Sequence, residues 1–287
     1  MNIYTLSMAS KGLELLEKGI DKWNSMFADI VRLLTTSPDG LYPGVWSAMQ
    51  TISGYLAGIS SILAVIFFYI GLTKSAIHFE ELRRPERFFG YFIRLALAEA
   101  LVMNSQKLLL SVMEIFQGAM LQITKLSGIS LNDKTGAIAG VPNEITTAAE
   151  NADFGEGLLI GVICIVVCLI IMALGLLLYL TVLLRFFKIY IYAAVSPIPL
   201  SSFGGENTSR IGRTFLMNYL GVCLQGIVII ICFIIFAQVI TTDFNFDNSA
   251  SALSNITEYA VTVLLGELLL VATVRTSDKL CREMIGG

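Results

Sequence analysis

GLLIGVICIVVCLIIMALGLLLYLTVLLRFFKIYIYAAVSPIPLSSFGG, residues 157–205, decides the fold class. From Gly157 to Leu184 no side chain is charged, and at 1.5 Å rise per residue a helix of that length covers about 42 Å, more than the ~30 Å of a bilayer core. The stretch predicts a transmembrane helix that tilts or emerges. Arg185 and Lys188 mark the emergence, followed by Phe186, Phe187, Tyr190 and Tyr192, residues that favour a membrane surface. Pro197 and Pro199 remove two amide donors and bias Ser196 and Ile198 away from helix. Residues 186–205 are therefore expected to form a proline-broken elbow, cytoplasmic or re-entrant, and re-entrant backbone is tolerated only where protein covers it.

Working outward, composition excludes a soluble domain. Hydrophobic residues make up 55% and charged residues 14% of the 287, the pattern of a polytopic membrane protein. A net charge of −3 excludes a tight nucleic-acid binder, which needs a surplus of lysine and arginine for phosphates. Cys164, Cys168, Cys223, Cys232 and Cys281 lie in or just beyond apolar runs without disulfide or metal spacing. His78 stands alone in a basic link, short of the ligand count zinc needs. No catalytic, cofactor or metal site is predicted: no nucleophile with a base, phosphate loop or HExxH occurs. Met1 to Leu34 lacks the continuous apolar core of a cleavable signal, so the first span is expected to direct insertion.

Before the spans, Leu13, Leu16, Ile20, Trp23, Phe27, Ile30, Val31 and Leu34 fall within about 100° of a helical wheel, and Lys11, Glu14, Lys18, Asp21, Lys22 and Asp29 lie outside that arc. One external amphipathic helix, resting in the membrane interface or against a partner, is expected within residues 1–44, with the transmembrane domain covering 45–287. Pro38, Asp39, Gly40 and Pro43 end it.

About five spans follow, near 45–72, 88–123, 157–184, 214–240 and 259–274. The first is rich in small residues, and Gly54 and Gly58, like Gly157 and Gly161 in the central helix, have spacings that let helices approach closely, between copies of the chain or within one. The second contains Arg94, Glu99, Lys107 and Glu114. As one helix it would be about 54 Å long, with Glu99, Gln106, Lys107, Glu114 and Gln117 clustered within about 100° and Arg94 on the far side. Either Lys107 and Glu114 neutralise one another or the stripe faces a water-filled lumen or a charged partner. A hairpin at Asn104 and Ser105 competes, but its arms are short for spans. Asn218, Gln225 and Gln238 in the fourth span read as interhelical glue. Glu267 in the last costs ~2.5–3.5 kcal/mol to insert, so it should find a partner or a wet cavity.

Orientation follows from the basic residues. With the N-terminus and the acidic 124–156 loop outside, Lys74, Arg83, Arg84, Arg87, Arg185, Lys188, Arg210, Arg213, Arg275, Lys279 and Arg282 all fall inside. A six-span layout would export the 74–87 cluster. The 241–257 connection has no lysine or arginine and is expected outside, where its Asn255 sequon matters only in a glycosylating host.

The basic link FEELRRPERF, the charged helix IRLALAEALVMNSQKLL and the elbow LLRFFKIYIYAAVSPIPLSSF together resemble the TrbL-like conjugal transfer membrane proteins, polytopic inner-membrane channel subunits of type IV secretion systems. The resemblance covers roughly residues 60–240; the 124–156 loop is short for that family, and a large terminal domain is missing. It implies a homo-oligomer in the inner membrane of a bacterium, working with other secretion-complex membrane subunits and ATPases and in transient contact with translocated DNA or protein. From the residues alone, a channel or scaffold subunit accounts for the stripe, the amphipathic helix and the elbow. A secondary transporter or other small-solute permease shares midplane charges and broken helices, but an internal repeat is not found between the halves.

Overall fold

In a computed structural model the described residues are 3–77, 85–126, 138, 140–150, 152–240 and 250–285. Among them the chain is helical and forms no strand: α1 Ile3–Thr35, α2 Pro38–Leu41, α3 Pro43–Ile77, α4 Pro85–Met103, α5 Ser105–Leu126, α6 Asn143–Glu150, α7 Phe154–Val195, α8 Pro197–Ser201, a 3₁₀ turn Ser202–Gly204, α9 Ser209–Ile240 and α10 Ala252–Ile285. Four helices are long and apolar enough to cross a membrane: Pro43–Thr73 of α3, Gly155–Val195 of α7, Ser209–Gln238 of α9, and α10. The count reaches five if α4 and α5 together make one broken span. His78 and most of the FEELRRPERF link lie outside the described residues.

The run expected as one helix over 88–123 is two, bent by 69° at Asn104. The Asn104 backbone N–H still donates to the Ala100 carbonyl at 3.1 Å. Its side-chain Nδ2 donates a second bond to that same carbonyl at 2.9 Å, so a side chain enters the ladder where the axis turns.

Within the elbow, the helix stops where the prolines place its end. Helix α7 continues without interruption through Arg185 to Val195, and Ser196 keeps helical angles (φ −51°, ψ −35°) with its Oγ donating to the Ala193 carbonyl at 2.9 Å. Pro197 opens a new helix, where a missing amide hydrogen costs nothing. The turn is confined to the residues that follow, and Gly205 is extended (φ −115°, ψ 144°).

The chain divides into two compact units: residues 1–35, 120–183 and 227–277 in one, and 36–119, 184–226 and 278–287 in the other. In the first, α1 lies along α7. A Cβ on Gly12 would stand 2.7 Å from the Gly161 Cα, one on Gly19 2.7 Å from the Cys168 Sγ, and one on Gly175 2.9 Å from the Trp23 ring and 3.2 Å from the Met26 sulfur. These contacts recur every seven residues in the same direction on both helices, so the pair is parallel and in coiled-coil register. The apolar stripe from Leu13 to Leu34 is buried, and Phe27 meets Phe233 of α9 at 4.6 Å between ring centres. The stripe expected to meet lipid or a partner is thus covered by the chain itself. Asn24 holds Ile138, donating to its carbonyl and accepting from its N–H, both at 3.1 Å. About a quarter-turn round the helix from its contact with α1, α7 leaves Leu158, Val162, Ile165, Leu169, Leu176 and Leu180 exposed, a face for lipid.

In the second unit α3 packs against α4, α8 and the 3₁₀ turn. The glycines of the SFGG turn allow this. A Cβ on Gly204 would stand 2.6 Å from the Ala64 carbonyl oxygen, and one on Gly205 2.5 Å from that of Phe67, distances only a bare backbone permits.

Candidate functional site

Three polar regions belong to the second unit. The first is the stripe of α4 and α5. Ser61 Oγ donates to a Glu99 carboxylate oxygen at 2.8 Å, Gln106 Nε2 to the Met49 carbonyl at 3.1 Å and Gln117 Nε2 to the Thr36 carbonyl at 2.7 Å. Each of these closes a gap between helices. Lys107 and Glu114 behave differently: both are exposed, and no ion pair joins them among the described residues. Lys107 lines a cavity of about 200 Å³ with Trp46, Gln50, Ser53, Gly54 and Gln106. Arg94, away from the stripe, pairs with Glu206 at 3.2 Å.

The second region is Arg185. Its side chain is fully buried, Nε donating to the Val222 carbonyl at 2.9 Å and Nη2 to the Cys223 carbonyl at 3.3 Å. Among the described residues this cation is bound by helix carbonyls alone, which ties the end of α7 to the middle of α9, since each charge-assisted bond is stronger than a neutral one. Tyr219, one turn earlier on α9, donates its hydroxyl to the Leu109 carbonyl at 2.7 Å, linking α5 to the same place. Tyr190 Oη donates to the Pro38 carbonyl at 2.7 Å.

The third is a cavity of about 880 Å³ lined by Lys188, Tyr192, Arg210, Arg213, Asp278 and Arg282, among others. Asp278 accepts from Lys188 at 3.2 Å and from Arg282 at 3.1 Å. Arg210 and Arg213 are exposed and make no ion pair among the described residues. Four cations against one carboxylate give the cavity a positive field, suited to a phosphate or carboxylate. Of these, the elbow reading found Lys188; Asp278, Arg210, Arg213 and Arg282 were not singled out as site residues. Their signal was spacing: Arg210 with Arg213 and Asp278 with Arg282 each share a helix face.

In the first unit, Glu267 is fully buried, with neither carboxylate oxygen hydrogen-bonded among the described residues. The partner or wet cavity expected for it is not among these contacts. Of the packing glycines, Gly161 is buried against the Met8 carbonyl of α1, whereas Gly54 and Gly58 have nothing within 4 Å of a built Cβ. Pro197 is buried and begins α8; Pro199 lends its carbonyl to Ser202 Oγ at 2.6 Å. Among the described residues no cluster of His, Cys, Asp and Glu has a metal-binding arrangement.

A search of curated proteins finds no match to the chain. A family model described as TrbL/VirB6 plasmid conjugal transfer like protein matches residues 23–197. The match starts within α1, takes in the basic link and the bent pair, and stops at the first proline of the elbow. It covers more than half of the chain and agrees with the all-helical, multiply spanning fold. The chain therefore belongs to the TrbL/VirB6 plasmid conjugal transfer family and is a multi-pass bacterial membrane component of a type IV secretion, or conjugal transfer, complex.

Proposed function

We propose that the chain is a channel or scaffold subunit of that machine, assembled as a homo-oligomer in the cytoplasmic (inner) membrane, where it helps DNA or protein across while separate ATPases supply the energy. The observation that carries this reading is the contrast along α4 and α5. Glu99, Gln106 and Gln117 are tied to backbone or hydroxyl groups of the same chain. Lys107 and Glu114 stand exposed on a segment apolar enough to enter a membrane. Charges at that depth need water or another subunit rather than lipid. The family assigns the machine, and these two residues support the part proposed for the chain in it. The cationic cavity at Arg210 and Arg213 fits weak, exchangeable contact with passing phosphates or with an acidic partner, because a conduit that binds tightly does not release. With the basic residues inside, that cavity and the C-terminus face the cytoplasm and the N-terminus lies outside.

The deciding experiment is mating. A donor lacking this gene is complemented with the wild-type chain or with Lys107→Leu/Glu114→Leu. The double variant is expected to accumulate in the membrane like wild type and to lower transfer at least about tenfold. Transfer at the wild-type rate would remove the passage role from these residues.

A further inference from the structure

The large cavity of the second unit carries more positive charge than its own residues balance. Lys188 of α7, Arg210 and Arg213 of α9 and Arg282 of α10 line it, and Asp278 is the carboxylate among the described lining residues. Asp278 is committed twice, to Lys188 at 3.2 Å and to Arg282 at 3.1 Å. Arg210 and Arg213, exposed and one turn apart, are left without an ion pair among the described residues. Like charges at that spacing repel, so an anion in the cavity offsets a cost the chain otherwise bears. The planar N–H forks of two arginines suit the oxygens of a phosphate.

The rest of the lining distinguishes one kind of phosphate from another. Met217, Val222 and Ile285 lie beside the cations. Arg210, Arg213, Met217 and Gly221 share one side of α9, so charged and apolar surface are continuous along one helix. A free phosphate gains nothing from the apolar part, whereas the glycerol and first methylenes of a lipid are drawn to it. The same place is a boundary in the sequence of all three helices. Helix α9 has no charged residue from Thr214 to Ile240, directly after Arg213; α7 has none from Gly157 to Leu184, just before Arg185 and Lys188; α10 has none from Leu268 to Val274, just before Arg275 and Asp278. Three helices thus change from uncharged to charged where the cavity lies, as chains do at the level of lipid headgroups. Its volume of about 880 Å³ is within the ~300–1,000 Å³ of small-ligand sites.

We infer that this cavity holds the phosphate headgroup of an anionic phospholipid, with Arg210 and Arg213 on the phosphate oxygens and the acyl chains leaving over Met217. Basic pockets between membrane helices supply this chemistry. A zwitterionic lipid fits less well, because its own ammonium would be pressed against the arginines. The inference goes beyond the transfer reading and does not rest on it: the bilayer presents headgroups whether or not a substrate passes, and their high local concentration fills even a weak, exchangeable site.

The test is lipid retention by the full chain, purified in detergent, given equal amounts of dioleoylphosphatidylglycerol and dioleoylphosphatidylcholine and read by native mass spectrometry. The wild-type chain is expected to retain the phosphatidylglycerol at least about tenfold over the phosphatidylcholine, and Arg210→Gln/Arg213→Gln to lose about tenfold of that preference. Arg275→Gln/Lys279→Gln, which removes the same charge from exposed positions of α10 outside the cavity lining, is expected to keep it. Arg210→Lys/Arg213→Lys is expected to recover part, since it keeps the charge without the forks. Arg210 and Arg213 are both exposed; should the double variant fail to accumulate, Arg210→Gln and Arg213→Gln are scored singly. Equal retention of the two lipids by wild type, or equal losses in the cavity variant and the α10 variant, would overturn the inference. Glycerol 3-phosphate, the same phosphate without acyl chains, is expected not to displace the lipid; displacement by it would assign the cavity to a free phosphate, and displacement by a single-stranded oligodeoxynucleotide would assign it to nucleic acid, and either would remove the lipid. Retention is read without mating, so this result and the transfer role are decided separately.

Discussion

The Gly161 backbone lies directly under the Met8 carbonyl, so that a Cβ at Gly161 would stand 2.9 Å from that oxygen. The GxxxG spacing of Gly157 and Gly161 is thus occupied, at its second glycine, within one chain. Gly161→Leu is expected to push α1 off α7 and to cost the ~1–3 kcal/mol typical of overpacking, read as reduced membrane accumulation and a lower unfolding midpoint in detergent. Gly58→Leu, with open space around it, is expected to leave both unchanged.

Gly54 and Gly58 remain available for contact between copies. Cysteines at either position on α3 are expected to crosslink into dimers or higher species in native membranes, as small residues permit close helix approach. Monomers alone, from protein still active in transfer, would remove α3 from the subunit interface.

Arg185 makes a sharper stability prediction. Lysine keeps the charge but places a single ammonium where a guanidinium reaches two carbonyls. Arg185→Lys is expected to cost about 1–3 kcal/mol, the range for lost hydrogen bonds to charged groups. Arg185→Met removes the buried charge together with its bonds and is expected to be closer to neutral. Thermal unfolding in detergent separates the two; equal losses would show that the space filled, not the charge bound, is what matters.

The Asp278 pairs are partly exposed, with the Lys188 side chain 43% and that of Asp278 35% accessible. Asp278→Asn is therefore expected to cost under about 1 kcal/mol. Arg210→Ala/Arg213→Ala is expected to spare accumulation as well, yet to lower mating frequency if the cavity meets substrate or partner. Unchanged mating would leave the cavity without a transport role.

Orientation is checked by fusion. A reporter active only in the cytoplasm is expected to work after Gly287 and to fail at Gly140; the reverse pattern would invert the layout drawn from the basic residues.

Long periodic features were legible in the sequence. The apolar runs of α3, α7, α9 and α10 and the stripe of α1 each rest on many residues, so no single exception hides them. The turn at Asn104 was weighed as a competing hairpin but not chosen, since each of its arms is short for a span. The end of α7 at Val195 was legible too, because Pro197 and Pro199 stop the helix there; hidden was that the same prolines begin the next helix. Least legible was the docking of α1. Gly12 and Gly19 lie more than a hundred residues from Gly161, Cys168 and Gly175, and their fit exists only as pairs. The same holds for the Arg185 carbonyl site, whose acceptors are main-chain atoms that any sequence would supply.

The seven-residue register between α1 and α7 also dictates which length changes evolution can make there. One residue inserted between Gly12 and Gly19 would rotate everything before it by about 100°, turning Gly12 away from Gly161 and bringing charged positions against an apolar helix. Seven inserted residues would turn it by only about 20° and keep the same side inward. Length variation in this part of α1 should therefore come in whole heptads.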